Sequence, residues 1–215
     1  MSADLSDPGS AGTSDPGAPA LLAEVVRSGF VEGHHRGSVL AVAADGTRVL
    51  SLGTPDAPVF PRSSNKPMQA VGMLEAGLDL DGELLALASA SHSGEPFHLE
   101  GVRRILAAAG LDPADLQTPA DYPVDETEKV AYLAAGGTAV PLAMNCSGKH
   151  AAMLATCVAN GWPTATYRDP AHPLQRALLA TVERLAGERV AATGSPARRA
   201  TVAASCCCSG WPGSR

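Results

Sequence analysis

Apolar and polar positions change rhythm several times along the 215 residues, and that rhythm predicts a hairpin followed by a run of helices. SVLAVAADGTRVLSLG (38–53) sets two apolar, β-branched arms around Asp45-Gly46, the turn chemistry of a β-hairpin. PMQAVGMLEAG (67–77) spaces Met68, Val71 and Leu74 along one helical face and places Gly77 where a C-terminal stop belongs. ELLALASASHSGE (83–95) is an apolar run, strand or helix, that ends in a Ser/His/Gly cluster. FHLEGVRRILAAAGL (97–111) is amphipathic through Leu99, Val102, Ile105 and Leu106, and Gly110 closes it. KHAAMLATCVANGW (149–162) and HPLQRALLATVERLAG (172–187) read as two further helices, stopped at Gly161 and Gly187, the second opened by Pro173. A hairpin and several helices without an internal repeat predict an α/β or α+β domain.

The two ends differ from this body. Residues 1–19 are rich in Ser, Asp, Gly and Pro and read as a flexible acidic tail. They lack the basic and apolar regions of a signal peptide, so the expected compartment is the cytoplasm. Residues 195–215, SPARRATVAASCCCSGWPGSR, carry three arginines, no acid and three consecutive cysteines, and they are expected to be an aberrant, disordered tail. The domain is therefore expected over residues 20–194.

Composition narrows the function classes. A net charge of -6 argues against a nucleic-acid partner. Every apolar run breaks well before 18 residues, so no membrane span is expected. The five cysteines, at 146, 157, 206, 207 and 208, form no CxxC pair, which excludes a conventional zinc ribbon and favours free or metal-bound thiols. Only three lysines stand against thirteen arginines, and two of the three, Lys66 and Lys149, fall in the motifs below.

Three short motifs can carry chemistry. RSSNK (62–66) holds Ser63 and Lys66 at S-x-x-K spacing, where a neutral lysine could take the serine proton. Pro67 disfavours α geometry at Lys66, and the bland alternative is a loop entering a helix. SASHSGE (89–95) gathers Ser91, His92, Ser93 and Glu95, as a site loop or as a capping segment. NCSGKH (145–150) supports three readings of Cys146: nucleophile beside Lys149 or His150, half of a metal site with His150, or a small buried side chain at a turn. Asp169 and His172 in YRDPAHPLQ read as turn and cap chemistry.

Taken together, PRSSNKPMQA, ASHSGE, MNCSGKHAAML and YRDPAHPLQ, in this order and at these intervals, resemble the rhizobial-type (class 3, asparaginase II) L-asparaginases over about residues 20–194. The resemblance implies a fold like that of serine β-lactamases and glutaminases, incomplete here at its C-terminus. It implies that Ser63 attacks the side-chain amide of L-asparagine with Lys66 as base, and that Ser91 sits beside Ser63 and relays the proton. It places Arg62 and His150 near substrate, and it makes Cys146 and Lys149 two zinc ligands, which overrides the chemical preference for His150 over a lysine. The family's Asp-Gly-Cys segment, with a third zinc ligand, has no counterpart in SPARRATVAASCCCSG, and neither has the lysine that partners the second serine. The departure implies a truncated or frameshifted chain with poor stability and little or no turnover. A homodimer is an open alternative for its assembly. Two other functions stay open: hydrolysis of another amide such as glutamine, and a non-catalytic truncated pseudoenzyme.

Overall fold

In the computed structural model, which describes residues 18–193 and 202–205, the chain divides into two compact units. The expected tails fall largely outside the described residues; within the second, only 202–205 are described.

The described residues up to Ala57 make two antiparallel hairpins. Strands β1 (Ala20–Arg27) and β2 (Phe30–Gly37) turn through Ser28 and Gly29, with φ of 49° and 80°. Two left-handed residues in a two-residue loop match the twist of the strands they join. Strands β3 (Val39–Val42) and β4 (Arg48–Leu52) form the hairpin expected over 38–53. Its turn closes as the sequence suggests, the Thr47 N–H donating to the Asp45 carboxylate at 2.9 Å. Both hairpins leave apolar side chains in solvent, among them Val26, Phe30, Val49 and Leu50.

The second unit begins at Pro58 and contains the helices. A short strand β5 (Pro58–Val59) leads through a 3-10 turn (Arg62–Asn65) into α1 (Lys66–Glu75). Then come α2 (Gly82–Ser89), α3 (Pro96–Ala108), α4 (Glu126–Ala134), α5 (Ser147–Ala159) and α6 (Pro173–Ala186). Strands β6 (Ala192–Thr193) and β7 (Val202–Ser205) follow, and β7 lies between β5 and β6. Mixed helix and strand is thus the observed class. The helices at 67–77, 97–111, 149–162 and 172–187 are present within three residues of their expected bounds, and the apolar run at 83–95 resolves into a helix, α2. Gly77 and Gly187 lie left-handed just past α1 and α6, as stops should.

The core centres on α5. Ala151, Ala152, Met153, Leu154 and Cys157 are all buried, so this helix is apolar on every side but its N-terminus, the mark of a helix enclosed by others. It packs against α3 and α2, while α1 packs against α6. Small residues at the start of α5 permit the close approach: a Cβ on Gly148 would stand 2.8 Å from the carbonyl oxygen of Leu87 in α2. The polar N-terminal end of α5 thereby meets the segment that leaves α2 and the N-terminus of α1.

Candidate active site

Four segments converge on one cleft, one of them Gln117, Thr118 and Pro119. Arg62, Ser63 and Lys66 come from the turn into α1, Met144 to His150 from the entry to α5, and Arg168 from the turn before α6. Arg62 has φ +53°, a left-handed conformation that side chains with a Cβ adopt at a cost of about 1–3 kcal/mol. Ser63 follows it and is exposed to the cleft. Lys66 is αR (φ −59°, ψ −39°) in spite of the proline after it, so the expected shift of the lysine away from helical geometry does not occur. Pro67 instead occupies the first turn of α1, where its missing N–H costs nothing.

Lys66 is only 3% exposed. Its Nζ donates to the carbonyl oxygen of Ala90 at 3.0 Å and to Ser91 Oγ at 2.7 Å, and Ser91 Oγ donates to Ser63 Oγ at 3.1 Å. The hydroxyl of Ser91 therefore bridges the lysine and Ser63. SASHSGE thus contributes Ser91 to the same hydrogen-bonded series as Lys66 and Ser63. Beneath this chain Gln69 Nε2 donates to the buried Asn65 Oδ1 at 2.7 Å, fixing the floor of the turn.

The α5 side of the cleft is buried and basic. Lys149 is 5% exposed, and burial, set against the nearby Cys146, lowers its pKa. His150 is held well below the ordinary imidazole range by burial, then by Lys149, Arg168 and Lys66. Its Nδ1 lies 2.8 Å from Tyr167 Oη, which in turn accepts from the Gln117 N–H at 3.2 Å. Tyr167 is fully buried, and burial pushes its hydroxyl up to about 12, so it stays neutral. Arg168 donates to the Gln117 carbonyl and lines the same cleft. Cys146 Sγ is buried within 3.0 Å of Met144 Sδ.

The structure thus brings Arg62, Ser63, Lys66, Cys146, Lys149 and His150 around one cleft, with Ser91 bonded into it through Lys66 and Ser63. Asp169 and His172 stay with turn and cap chemistry: His172 Nδ1 accepts from the Leu174 N–H at the start of α6. Sequence reasoning missed Tyr167, Arg168, Gln69 and Gln117. Tyr167 and Arg168 lie inside YRDPAHPLQ, but beside Asp169-Pro170 they read as parts of a turn. Nothing local marks the two glutamines. Among the described residues no group of three or more His, Cys, Asp or Glu could hold a metal, and no helix is long and apolar enough to cross a membrane.

A hydroxyl chain that ends on a buried amine, at the rim of a cleft with two guanidinium groups, defines a site suited to nucleophilic acyl chemistry. The family described as L-asparaginase II matches residues 23–195, and the chain belongs to that family. Membership supports an asparaginase-type amidohydrolase as its general class. No curated protein matches the chain.

Proposed function

We propose that this cleft hydrolyses the side-chain amide of L-asparagine to aspartate and ammonia, with Ser63 as nucleophile. The observation that carries the reading is the bonded series Lys66 Nζ, Ser91 Oγ, Ser63 Oγ at 2.7 and 3.1 Å. The same heavy-atom spacing serves the series in the reverse direction once the serine hydroxyls rotate. Ser63 then passes its proton to Ser91 as Ser91 passes its own to a neutral Lys66. The Ser63 oxygen bonds to the amide carbon. When the C–N bond breaks, Lys66 returns the proton through Ser91 to the leaving nitrogen, and ammonia departs. Water attacks the resulting ester as its proton goes to Lys66; the ester C–O bond then breaks, Lys66 returns that proton through Ser91 to the Ser63 oxygen, and aspartate leaves.

Arg62 and His150 are the substrate-binding groups of this proposal. Arg62 would pair with the substrate's α-carboxylate, a planar acceptor suited to a guanidinium. A serine beside a lysine at the head of a packed helix also supports kinship with the serine β-lactamase and glutaminase folds. The buried thiols Cys146 and Cys157 are free, which suits a reducing, cytoplasmic setting.

Zinc belongs to the same proposal in limited form. Cys146 and a Lys149 whose amine is disposed by burial to be neutral offer two donors of the right kind, a thiol and an uncharged nitrogen. When bound, zinc would order this end of the cleft. Two donors fall short of the four a closed site needs, so no step is assigned to the metal.

The test is to incubate the chain with asparagine, measure ammonia and examine Ser63 by intact and peptide mass spectrometry. Slow ammonia release or an aspartyl ester on Ser63, either abolished in Ser63→Ala, is expected, the low turnover reflecting the family segments for which this chain has no counterpart. Ammonia release that survives Ser63→Ala, or neither product from the parent chain, would overturn the proposal.

A further inference from the structure

Ser91 lies in a stretch, residues 91–95, that has no regular secondary structure, although its hydroxyl must meet both Lys66 and Ser63. Something has to hold it. The residue that follows, His92, is 5% exposed and makes two bonds to the entry of α5. Its backbone N–H donates to the Asn145 carbonyl at 2.9 Å, and its Nε2 lies 2.9 Å from Ser147 Oγ. Ser147, fully buried, donates its own hydroxyl proton to the Leu142 carbonyl at 2.7 Å. A hydroxyl has one proton, so Ser147 can only accept from the imidazole. That settles the tautomer: Nε2 carries the hydrogen and Nδ1 does not. Nδ1 is buried without a hydrogen-bond partner, an arrangement far less costly for a bare acceptor than for a buried, unanswered N–H.

We propose that His92 is a positioning residue: its Nε2–H bond to Ser147 straps the Ser91 segment to the N-terminus of α5, so that the proton-relay hydroxyl and the Cys146–His150 wall keep one register. The strap is directional, from His92 Nε2–H to Ser147 Oγ–H to the Leu142 carbonyl. On the other side of the segment the Ser93 carbonyl accepts the N–H groups of Val124 and Asp125, at 2.7 and 3.0 Å. These bonds fix Ser93, and Lys66 holds the Ala90 carbonyl on the other side of Ser91; His92 anchors the backbone directly after Ser91 to the entry of α5. His92 touches neither Ser63 nor Lys66 through any bond of the strap, and it acts on the chemistry only through Ser91. The role in catalysis rests on the serine-nucleophile reading above; the strap itself does not.

Two measurements separate them. Long-range 15N–1H correlation spectra of the intact chain read the imidazole tautomer directly. The expected result is a protonated Nε2 and a bare Nδ1 in the parent chain; a protonated Nδ1 would overturn the strap whatever the enzyme does. Phosphonylation of Ser63 by a fluorophosphonate, followed by mass, reads the poise of the nucleophile: the serine oxygen bonds to phosphorus, fluoride leaves and the proton passes to the relay. His92→Leu and Ser147→Ala should label at least about tenfold more slowly than the parent, the scale of a small misplacement of a reacting group. His92→Gln places an amide N–H where Nε2 stood and should restore labelling to within about threefold, which a role confined to core packing would not produce. Parent-like labelling of folded Ser147→Ala would sink the positioning role, and this variant decides the matter if His92→Leu does not fold. A parent chain that never labels condemns the nucleophile and the catalytic role together, leaving the tautomer to decide the strap.

Discussion

At the scale of single residues, the site is governed by burial of groups that would rather be solvated. His92 illustrates the consequence. Burial, then the fields of His98 and Lys66, hold its imidazole down to about 4 from the ordinary 6.5, with Glu95 opposing weakly. In the unfolded chain the ring protonates near 6.5. Between these values the unfolded state binds the extra proton, so the contribution of neutral His92 is complete above 6.5 and is lost as pH falls through the window to about 4. Each pH unit inside the window costs up to about 1.4 kcal/mol for one such group. Buried His150 acts in the same sense. The denaturation midpoint in urea should therefore fall between about pH 7 and about pH 5, and His92→Gln should flatten that slope. A variant slope equal to the parent's would show that His92 is not the sensor. Little of this was legible in the sequence. ASHSGE named the right serine and histidine, but only the fold reveals that one histidine is bonded across to Ser147, fifty-five positions away.

At the scale of elements, periodicity served best where helices bury one face or more. The helices at α1, α3, α5 and α6 were all readable, because their apolar spacing and glycine stops agree. Hairpin β1–β2 was not readable. Register shifts between Leu21 and Ala23 and between Val25 and Val26 break the alternation that announces a strand, and its turn is Ser28-Gly29 rather than a more conspicuous Asn-Gly. Helix α4 escaped because it buries no residue, although Asp125 caps it by accepting the Glu128 N–H at 2.9 Å. The packing of helices that do matter yields a paired test. A Cβ at Gly148 would press on the backbone carbonyl of Leu87, whereas one at Gly101 of α3 would meet only side-chain ends, Leu87 Cδ2 at 2.7 Å and Leu84 Cδ2 at 3.6 Å. Gly148→Ala should thus lose about 1–3 kcal/mol of stability by driving α5 from α2. In Gly101→Ala a helix-propensity gain of about 1 kcal/mol offsets the side-chain shift and leaves stability near the parent value. Equal midpoints for the two variants in chemical denaturation would contradict this account of the α2–α5 contact.

At the scale of the whole chain, stability is expected to be uneven, because the two units are built differently. The helical unit encloses α5 and a continuous apolar core that includes Met73, Ile105, Leu106, Leu154 and Leu174. The hairpin unit buries almost nothing: on β1, β2 and β4 nearly every side chain is exposed, Phe30 at 72% and Val49 at 65%. Its ion pairs, Arg27 with Glu32 at 2.6 Å and Arg48 with Asp56 at 2.7 Å, lie in solvent, where each contributes at most about 1 kcal/mol. Two-stranded hairpins with no covered face are marginal in water. Local opening of residues 20–52 should then cost far less than global unfolding, and the two units should part in native-state hydrogen exchange. Peptides spanning β1 to β4 should exchange within seconds to minutes, while those spanning α5 should exchange at the rate set by global stability. Protection of the hairpins equal to that of α5 would mean that their apolar faces are covered in solution, for instance by self-association, and dilution of the sample would reveal it. If protection persisted on dilution, the expectation of a marginal hairpin unit would be wrong.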